Sequence, residues 1–473
     1  MSVMGSGSLR IERDIDRTVS FRSSQGAIVR GTLSKLSRRN IVFEIYNPFS
    51  PIQTSEVLSD LRVRRGKNVV YEGDAVVTGV VTTSILVVVS ATLVNNWSAV
   101  DTIISEPAGL KSEVERFVGD WERLNKLDPN YQLKVADLRS FLTDLSFWLD
   151  QVDLAVEGEP GASPMLLDAE RFEEIRGPVM PRLTALFMEL EEACRQLDVD
   201  EVENHKQLAQ RDLLPLMMAS PFFNRVYSKP LGYAGDYEMV NMMFRKERSG
   251  KTTYGQIVND WLLNGGPPEA HRNRIFMLEK MLESAAEKAR VTNHCPRVLN
   301  VGCGPVQELQ LFIGKNEAAG RFSFDLLDFN AETLAYAKQQ IESITAERRE
   351  APKVTYILKT VQELLRQAIE MPANSQSYDI IYCAGLFDYL SDRVCAKLVK
   401  LFYQWCEPGG RVVVTNVHSS NPVKGLMEHV MEWHLVTRDE SDMLRLAPDQ
   451  DAAKIYTDET GINVFLELVK PST

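Results

Sequence analysis

The stretch Val298-Leu299-Asn300-Val301-Gly302-Cys303-Gly304-Pro305 decides how the chain is read: an apolar run of strand character enters a Gly-x-Gly turn, and a helix starts behind it. Glycine suits such a turn because a Cβ would hold the backbone away from a ligand, while the helix N-terminus offers free N–H groups to a carboxylate. A dinucleotide-binding turn needs a third glycine, but Gln307 stands there, which argues against a pyrophosphate cofactor. Asp328 ends the next apolar run, 24 residues beyond Gly304, where an acid can accept bonds from two ribose hydroxyls; the same position suits a helix-capping Asp. Asp325 points to the opposite strand face. After the fourth run, Tyr382-Cys383-Ala384-Gly385-Leu386 supplies small residues that leave room for a ligand, and Pro408-Gly409-Gly410 turns into the fifth.

Around this core the texture from Arg297 onward alternates between β and α: RVLNV, FSFDLLD, VTYILK, YDIIYC and RVVVTNV are separated by helical patterns, and KIYTD and NVFLELV close the chain as a pair. Such alternation predicts a doubly wound, seven-stranded parallel α/β sheet whose last strand enters antiparallel. Upstream, apolar residues recur at helical spacing over Leu110 to Leu127, Val135 to Val156, Ala169 to Leu197 and Glu201 to Met218, with a Gly- and Pro-rich loop at Glu157 to Pro164. From Thr18 to Val94 the pattern is β-like, with runs at Gly26 to Leu33, Asn40 to Tyr46, Asn68 to Tyr71 and Ala75 to Leu93, and predicts a small antiparallel barrel. The expected organisation is multidomain: a β-barrel over residues 1–100, an α-helical middle over 101–290 and the α/β domain over 291–473.

Taken as a set, Val298 to Pro305, Leu327 to Asn330, Tyr378 to Leu390 and Glu407 to Val414 resemble the motifs of class I S-adenosylmethionine-dependent methyltransferases. The resemblance implies S-adenosyl-L-methionine as cofactor, held by Asn300, Gly302, Gly304, Asp328, Phe329, Cys383 and Gly385. Two departures stand out. Asn300 replaces the acid often found ahead of the glycine turn, so the contact to the methionine ammonium is weaker or comes from elsewhere. Lys359-Thr360-Val361 replaces an acid at the adenine, leaving the Thr360 hydroxyl or the Val361 backbone for that contact. Further upstream, Ser220 to Asn241 and His271-Arg-Asn-Arg274 resemble the bacterial 3-hydroxypalmitic acid methyl ester synthases of quorum signalling. That resemblance implies O-methylation of the carboxylate of a hydroxy fatty acid.

A carboxylate with a pKa of about 4 to 5 is already the anion at neutral pH and needs no base, whereas an amine or phenol acceptor would need one. His418, just past the fifth run, is the candidate base, and equally a structural hydrogen-bonding group. Tyr227, Lys229, Tyr233, Asp236 and Tyr237 sit in a glycine-punctuated segment suited to closing over the cofactor, or to an interdomain turn. Trp433, His434 and Arg438 suit a substrate wall, with Arg438 either pairing with a carboxylate or standing in solvent. Tyr233, His418 and Arg438 are the catalytic candidates, and Tyr227, Trp433 and His434 the substrate contacts. The alternatives are methylation of another metabolite with His418 as base, and a regulatory module that binds S-adenosylmethionine or a dinucleotide without turnover. Met217, Met218, Met239, Met242 and Met243 fit either an acyl channel or ordinary core.

Arg13-Asp-Ile-Asp-Arg17 and Lys35-Leu-Ser-Arg-Arg-Asn40 in the barrel are similar to the motifs of PilZ domains, whose ligand is cyclic di-GMP. Lys35 and Asn40 depart from the second motif, so cyclic di-GMP is not expected to bind, and a scaffolding or homodimer-forming barrel is. Net charge is −12, with residues 1–100 at +4 and the remainder at −16, a poor match for nucleic-acid phosphates and a better one for small-molecule chemistry. The six cysteines contain no CxxC pair and no histidine at ligand spacing, so no metal is expected. No apolar run would serve as a signal or span a bilayer, and a cytoplasmic location is expected.

Overall fold

The computed structural model describes residues 17–95, with breaks at 23–27, 38, 46–51, 53–54, 66–67 and 83–86, scattered positions between 111 and 119, and 127–472, with breaks at 158–166, 198–201 and 371–376. The Glu157 to Pro164 loop and Arg13 to Asp16 lie almost wholly outside the described residues, as does most of Leu110 to Leu127. The chain forms two compact units, residues 1–125 and 126–473.

The first unit is a closed antiparallel barrel of β1 (Arg17–Arg22), β2 (Ile28–Leu36), β3 (Asn40–Ile45), β4 (Val57–Arg65), β5 (Asn68–Thr82) and β6 (Val87–Leu93), in the order β1-β2-β3-β6-β5-β4. Alternation drives it: Ile41, Phe43 and Ile45 of β3 and Val87, Val89, Ala91 and Leu93 of β6 all point inward. The run expected at Ala75 to Leu93 is two strands. β5 starts at Asn68 and continues unbroken through Gly73, whose Cβ would collide with the Asn95 side chain. β4 escapes a purely apolar search because Arg62 and Arg64 alternate with buried Leu61 and Val63.

The second unit begins with α1 (Pro129–Glu157), α2 (Ala169–Gln196), α3 (Val202–Met217), α4 (Pro221–Ser228), α5 (Tyr237–Arg245), α6 (Thr253–Leu263) and α7 (Gly266–Thr292). A seven-stranded sheet follows, of β7 (Arg297–Val301), β8 (Ser323–Asp328), β9 (Lys353–Leu358), β10 (Tyr378–Cys383), β11 (Cys406–Val417), β12 (Ala453–Thr457) and β13 (Asn463–Val469), interleaved with α8 (Gln307–Lys315), α9 (Ala331–Thr345), α10 (Val361–Glu370), α11 (Asp392–Trp405) and α12 (Glu440–Leu446). Its order is β12-β13-β11-β10-β7-β8-β9, parallel except for β13, which runs antiparallel to both β11 and β12. Strand order reverses between β7 and β10, so a crevice opens at their carboxyl ends, where α/β sheets bind ligands.

The helical layer and the sheet share material. Leu426, Met427, Val430 and Met431, which follow β11, are buried in the same apolar cluster as Leu138, Leu142, Leu186 and Leu213. Glu191 of α2 seals this junction, accepting from the backbone N–H groups of Gly425 at 2.8 Å and Leu426 at 2.6 Å. Met217, Met239 and Met243 are buried in that cluster, with Met218 and Met242 packed against it. No helix among the described residues is long and apolar enough to cross a membrane.

Candidate active site

Gly302 (φ +68°) and Gly304 (φ +55°) both adopt the left-handed conformation that excludes most side chains, and together they turn β7 into α8. The carbonyl of Leu327 in β8 accepts from Gly302 N at 2.8 Å and Cys303 N at 3.1 Å, which fixes the turn against the neighbouring strand. Nothing lies within 4 Å of where a Gly304 Cβ would stand, so the turn leaves an open cradle. Asp328, buried, closes one side: Oδ2 accepts from Gly304 N at 3.2 Å and Oδ1 from Asn330 N at 2.9 Å. Burial raises its pKa against the backbone N–H groups of Asn330, Gly304 and Phe329, and three donors on a carboxylate with four acceptor positions leave room for a hydroxyl. The half-exposed Phe329 ring lies 5.2 Å from that of Tyr233.

Tyr233 reaches this edge because its turn is pinned from both sides. Lys229 (φ +46°) ends α4 and its Nζ donates to Glu432 O at 2.7 Å, while Asp236 caps α5 through Met239 N and pairs with Arg225, both at 2.8 Å. Gly235 packs directly on the Tyr389 hydroxyl, which leaves no room for a Cβ. Where a third glycine would stand, Gln307 donates to Asn241 Oδ1 at 2.6 Å and ties α8 to α5. Burial pushes the Tyr233 phenol well above its usual range, so it stays a protonated donor.

The remaining candidates fall elsewhere. Thr360 exchanges bonds with Glu363 in a cap on α10: its hydroxyl donates to Oε2 at 2.9 Å and accepts from Glu363 N at 3.2 Å. Trp433 Nε1 donates to the Tyr389 hydroxyl at 3.1 Å, but His434 is exposed and faces Glu432 at 3.4 Å. Tyr227 stacks on Phe223 within the helical cluster. Arg438 is not a solvent-facing arginine: it is 1% exposed, and its guanidinium serves Phe387 O, Leu390 O, Asn416 Oδ1 and Asp392. Those partners leave it no fork for a substrate carboxylate. His418 Nδ1 accepts from Ser420 N at 3.1 Å, which places the ring proton on Nε2, 3.1 Å from Glu440 Oε2.

Sequence reading passed over the buried charges behind this edge. Arg274 of α7, Glu308 in the first turn of α8 and Asp388 after β10 are all at least 93% buried. Burial raises Asp388 to about 6, with Arg274 and the Val417 N–H opposing. Glu308 was camouflaged as an ordinary acid at a helix start, and Arg274 as one more arginine on an amphipathic helix. Among the described residues no group of His, Cys, Asp and Glu would hold a metal.

Residues 298–410 match the methyltransferase domain family.

The matched stretch contains the glycine turn, Asp328 and the β10 edge. No curated protein matches the chain. Among solved structures, one described as a possible exported protein from Bordetella parapertussis shares 16% identity over 65% of this chain and all of its own, with a TM-score of 0.42. An O-methyltransferase family protein from Burkholderia thailandensis shares 13% identity over 72% of this chain and 94% of its own (TM-score 0.33). Magnesium protoporphyrin IX methyltransferase from Synechocystis, crystallised with S-adenosylhomocysteine, shares 12% over 43% and 87% (TM-score 0.31).

Proposed function

We propose that the protein is an S-adenosylmethionine-dependent methyltransferase that esterifies the carboxylate of a small or lipid-like acid, a hydroxy fatty acid being the acceptor its resemblance implies. The observation that carries the cofactor assignment is the open cradle at Gly304 with the Asp328 carboxylate beside it. Gly302 to Gly304 would hold the methionine portion, Asp328 the ribose hydroxyls, and Phe329 with the Val361 N–H the adenine. When bound, the cofactor supplies a methyl group on a sulfonium, the electrophile of an in-line displacement.

What the chain contributes is position and exclusion of water. Tyr233, protonated and half-buried, donates to an acceptor oxygen and fixes its approach. An ionised acid needs no base, and the occupied state of His418 supports such an acceptor: Nδ1 is taken by Ser420, and the proton on Nε2 faces Glu440. The barrel is read as a scaffold or dimer contact without cyclic di-GMP as its ligand, a reading supported by the motif departures at Lys35 and Asn40, whose side chain accepts instead from the Thr92 hydroxyl at 3.0 Å.

The experiment is transfer of labelled methyl from S-adenosylmethionine to 3-hydroxy fatty acids, with the corresponding amides as controls. Label released by mild alkali, from the acids alone, is the expected result. Label on amines or hydroxyls instead would end the carboxylate reading while leaving the methyltransferase.

A further inference from the structure

Two opposite charges are buried at the glycine turn without neutralising one another. Arg274 is 7% exposed, and among the described residues its guanidinium makes a single hydrogen bond, from Nη2 to Nδ1 of His271 at 2.6 Å. That partner brings no charge, since burial and the neighbouring Arg274 and Arg272 hold His271 well below its ordinary pKa. Gly385 (φ +95°) lets the guanidinium lie against the β10 turn: a Cβ there would stand 3.3 Å from Nη2 and 3.5 Å from Nη1. Glu308, 6% exposed, accepts from Asn300 Nδ2 at 3.0 Å and the Tyr382 hydroxyl at 2.7 Å, both at Oε1, which leaves Oε2 without a side-chain donor. Each group feels the other's charge, yet no ion pair joins them among the described residues. A buried ion is costly unless hydrogen-bonded and paired, so both have capacity that a ligand would fill.

We propose that Arg274 and Glu308 form a receptor for an α-amino-acid zwitterion, the methionine end of the cofactor, with Arg274 taking its carboxylate and Glu308 its ammonium. The inference rests on the methyltransferase reading. It accounts for Asn300: the acid expected at the end of β7 sits instead in the first turn of α8, and Asn300 donates to it and holds it in place. An ammonium and a carboxylate on one carbon match two opposite buried charges better than any acceptor carrying a carboxylate alone.

Calorimetric affinities for S-adenosylhomocysteine, decarboxylated S-adenosylmethionine and 5′-methylthioadenosine, which lacks the amino-acid end, test it in the full chain. Arg274→Gln and Glu308→Gln are each expected to weaken S-adenosylhomocysteine binding by roughly 10- to 100-fold, the loss of a charge-assisted contact, with methylthioadenosine unchanged. Arg274→Gln should bind the decarboxylated ligand as the wild type does. If Arg274→Gln loses every ligand, Arg274→Lys decides: weakened S-adenosylhomocysteine with intact methylthioadenosine binding supports the receptor, and wild-type affinity for both overturns it. Undiminished S-adenosylhomocysteine affinity in Arg274→Gln, with a raised KM for the acceptor acid, assigns the guanidinium to the acceptor and overturns the proposal. A wild-type protein that binds neither adenosine ligand removes the proposed function itself.

Discussion

Arg438 and Arg274 lie in the same unit, both buried, and differ in what surrounds them. Beyond β11, Arg438 has two carbonyls, an amide oxygen and Asp392 for its guanidinium, and Glu191 likewise has two backbone N–H groups for its carboxylate. At the glycine turn, Arg274 has a neutral imidazole and Glu308 two donors on one oxygen. Saturated buried charges hold one chain segment to another, whereas unsaturated ones tax the fold in exchange for a site. Nothing in the sequence distinguishes the two: Arg438 was expected at a substrate wall and is saturated, whereas Arg274, given no role of its own, keeps most of its guanidinium open.

The sharpest way to break the comparison is to remove both guanidiniums in turn. Arg438→Met should lower the unfolding free energy by about 3 to 5 kcal/mol, because carbonyls of Phe387 and Leu390 lose their donor inside the protein. Arg274→Met should shift it by about 1 kcal/mol or less, since little is hydrogen-bonded to it. Denaturant unfolding of both variants measures this, and equal losses would erase the distinction.

Glu191 sharpens the saturated side through pH. Burial raises its folded pKa from 4.5 to about 7, so between those values the folded state keeps a proton that the unfolded chain has released. Stability therefore falls as pH rises from about 4.5 to 7, by about 2 to 3 kcal/mol in all. Glu191→Gln should flatten that fall, and an unchanged slope in the variant would show the carboxylate to be ionised throughout.

On the open side, Asp328→Ala should weaken S-adenosylhomocysteine by about 1.5 to 3 kcal/mol in calorimetry through lost charge-assisted bonds. Affinity equal to wild type would move the ribose contact elsewhere. The smallest effect is expected at His418. If the acceptor is a carboxylate, His418→Gln keeps single-turnover transfer within about tenfold of wild type and flat from pH 6 to 9, whereas losing a base costs roughly 10²- to 10⁴-fold. A wild-type rate rising through a pKa near 7 and lost in the variant would restore His418 as base.

What could be read without the fold was whatever is written locally. The barrel, the helical stretches and the alternating α/β domain are encoded in apolar periodicity, and the turn at Gly302 and Gly304 in residues that tolerate positive φ. Asp328 was legible because it ends an apolar strand. Arg438 was not, because whether an arginine is saturated depends on carbonyls some fifty residues away in the chain, at Phe387 and Leu390. Thr360 is the opposite case: its partner Glu363 stands three residues on, at capping-box spacing, so that cap was legible locally.

By itself, then, the sequence determined the order of elements, the glycine turn and the acid beside it, since each depends on side-chain preferences within one strand, turn or helix. Only the tertiary structure decided which charges are left open. Arg274 comes from the helix before the sheet, Glu308 from the helix after β7 and Gly385 from the end of β10, and no sequence spacing relates them. Desolvation and hydrogen-bond saturation are properties of a packed neighbourhood, and they exist only once strand order has brought β7 and β10 side by side.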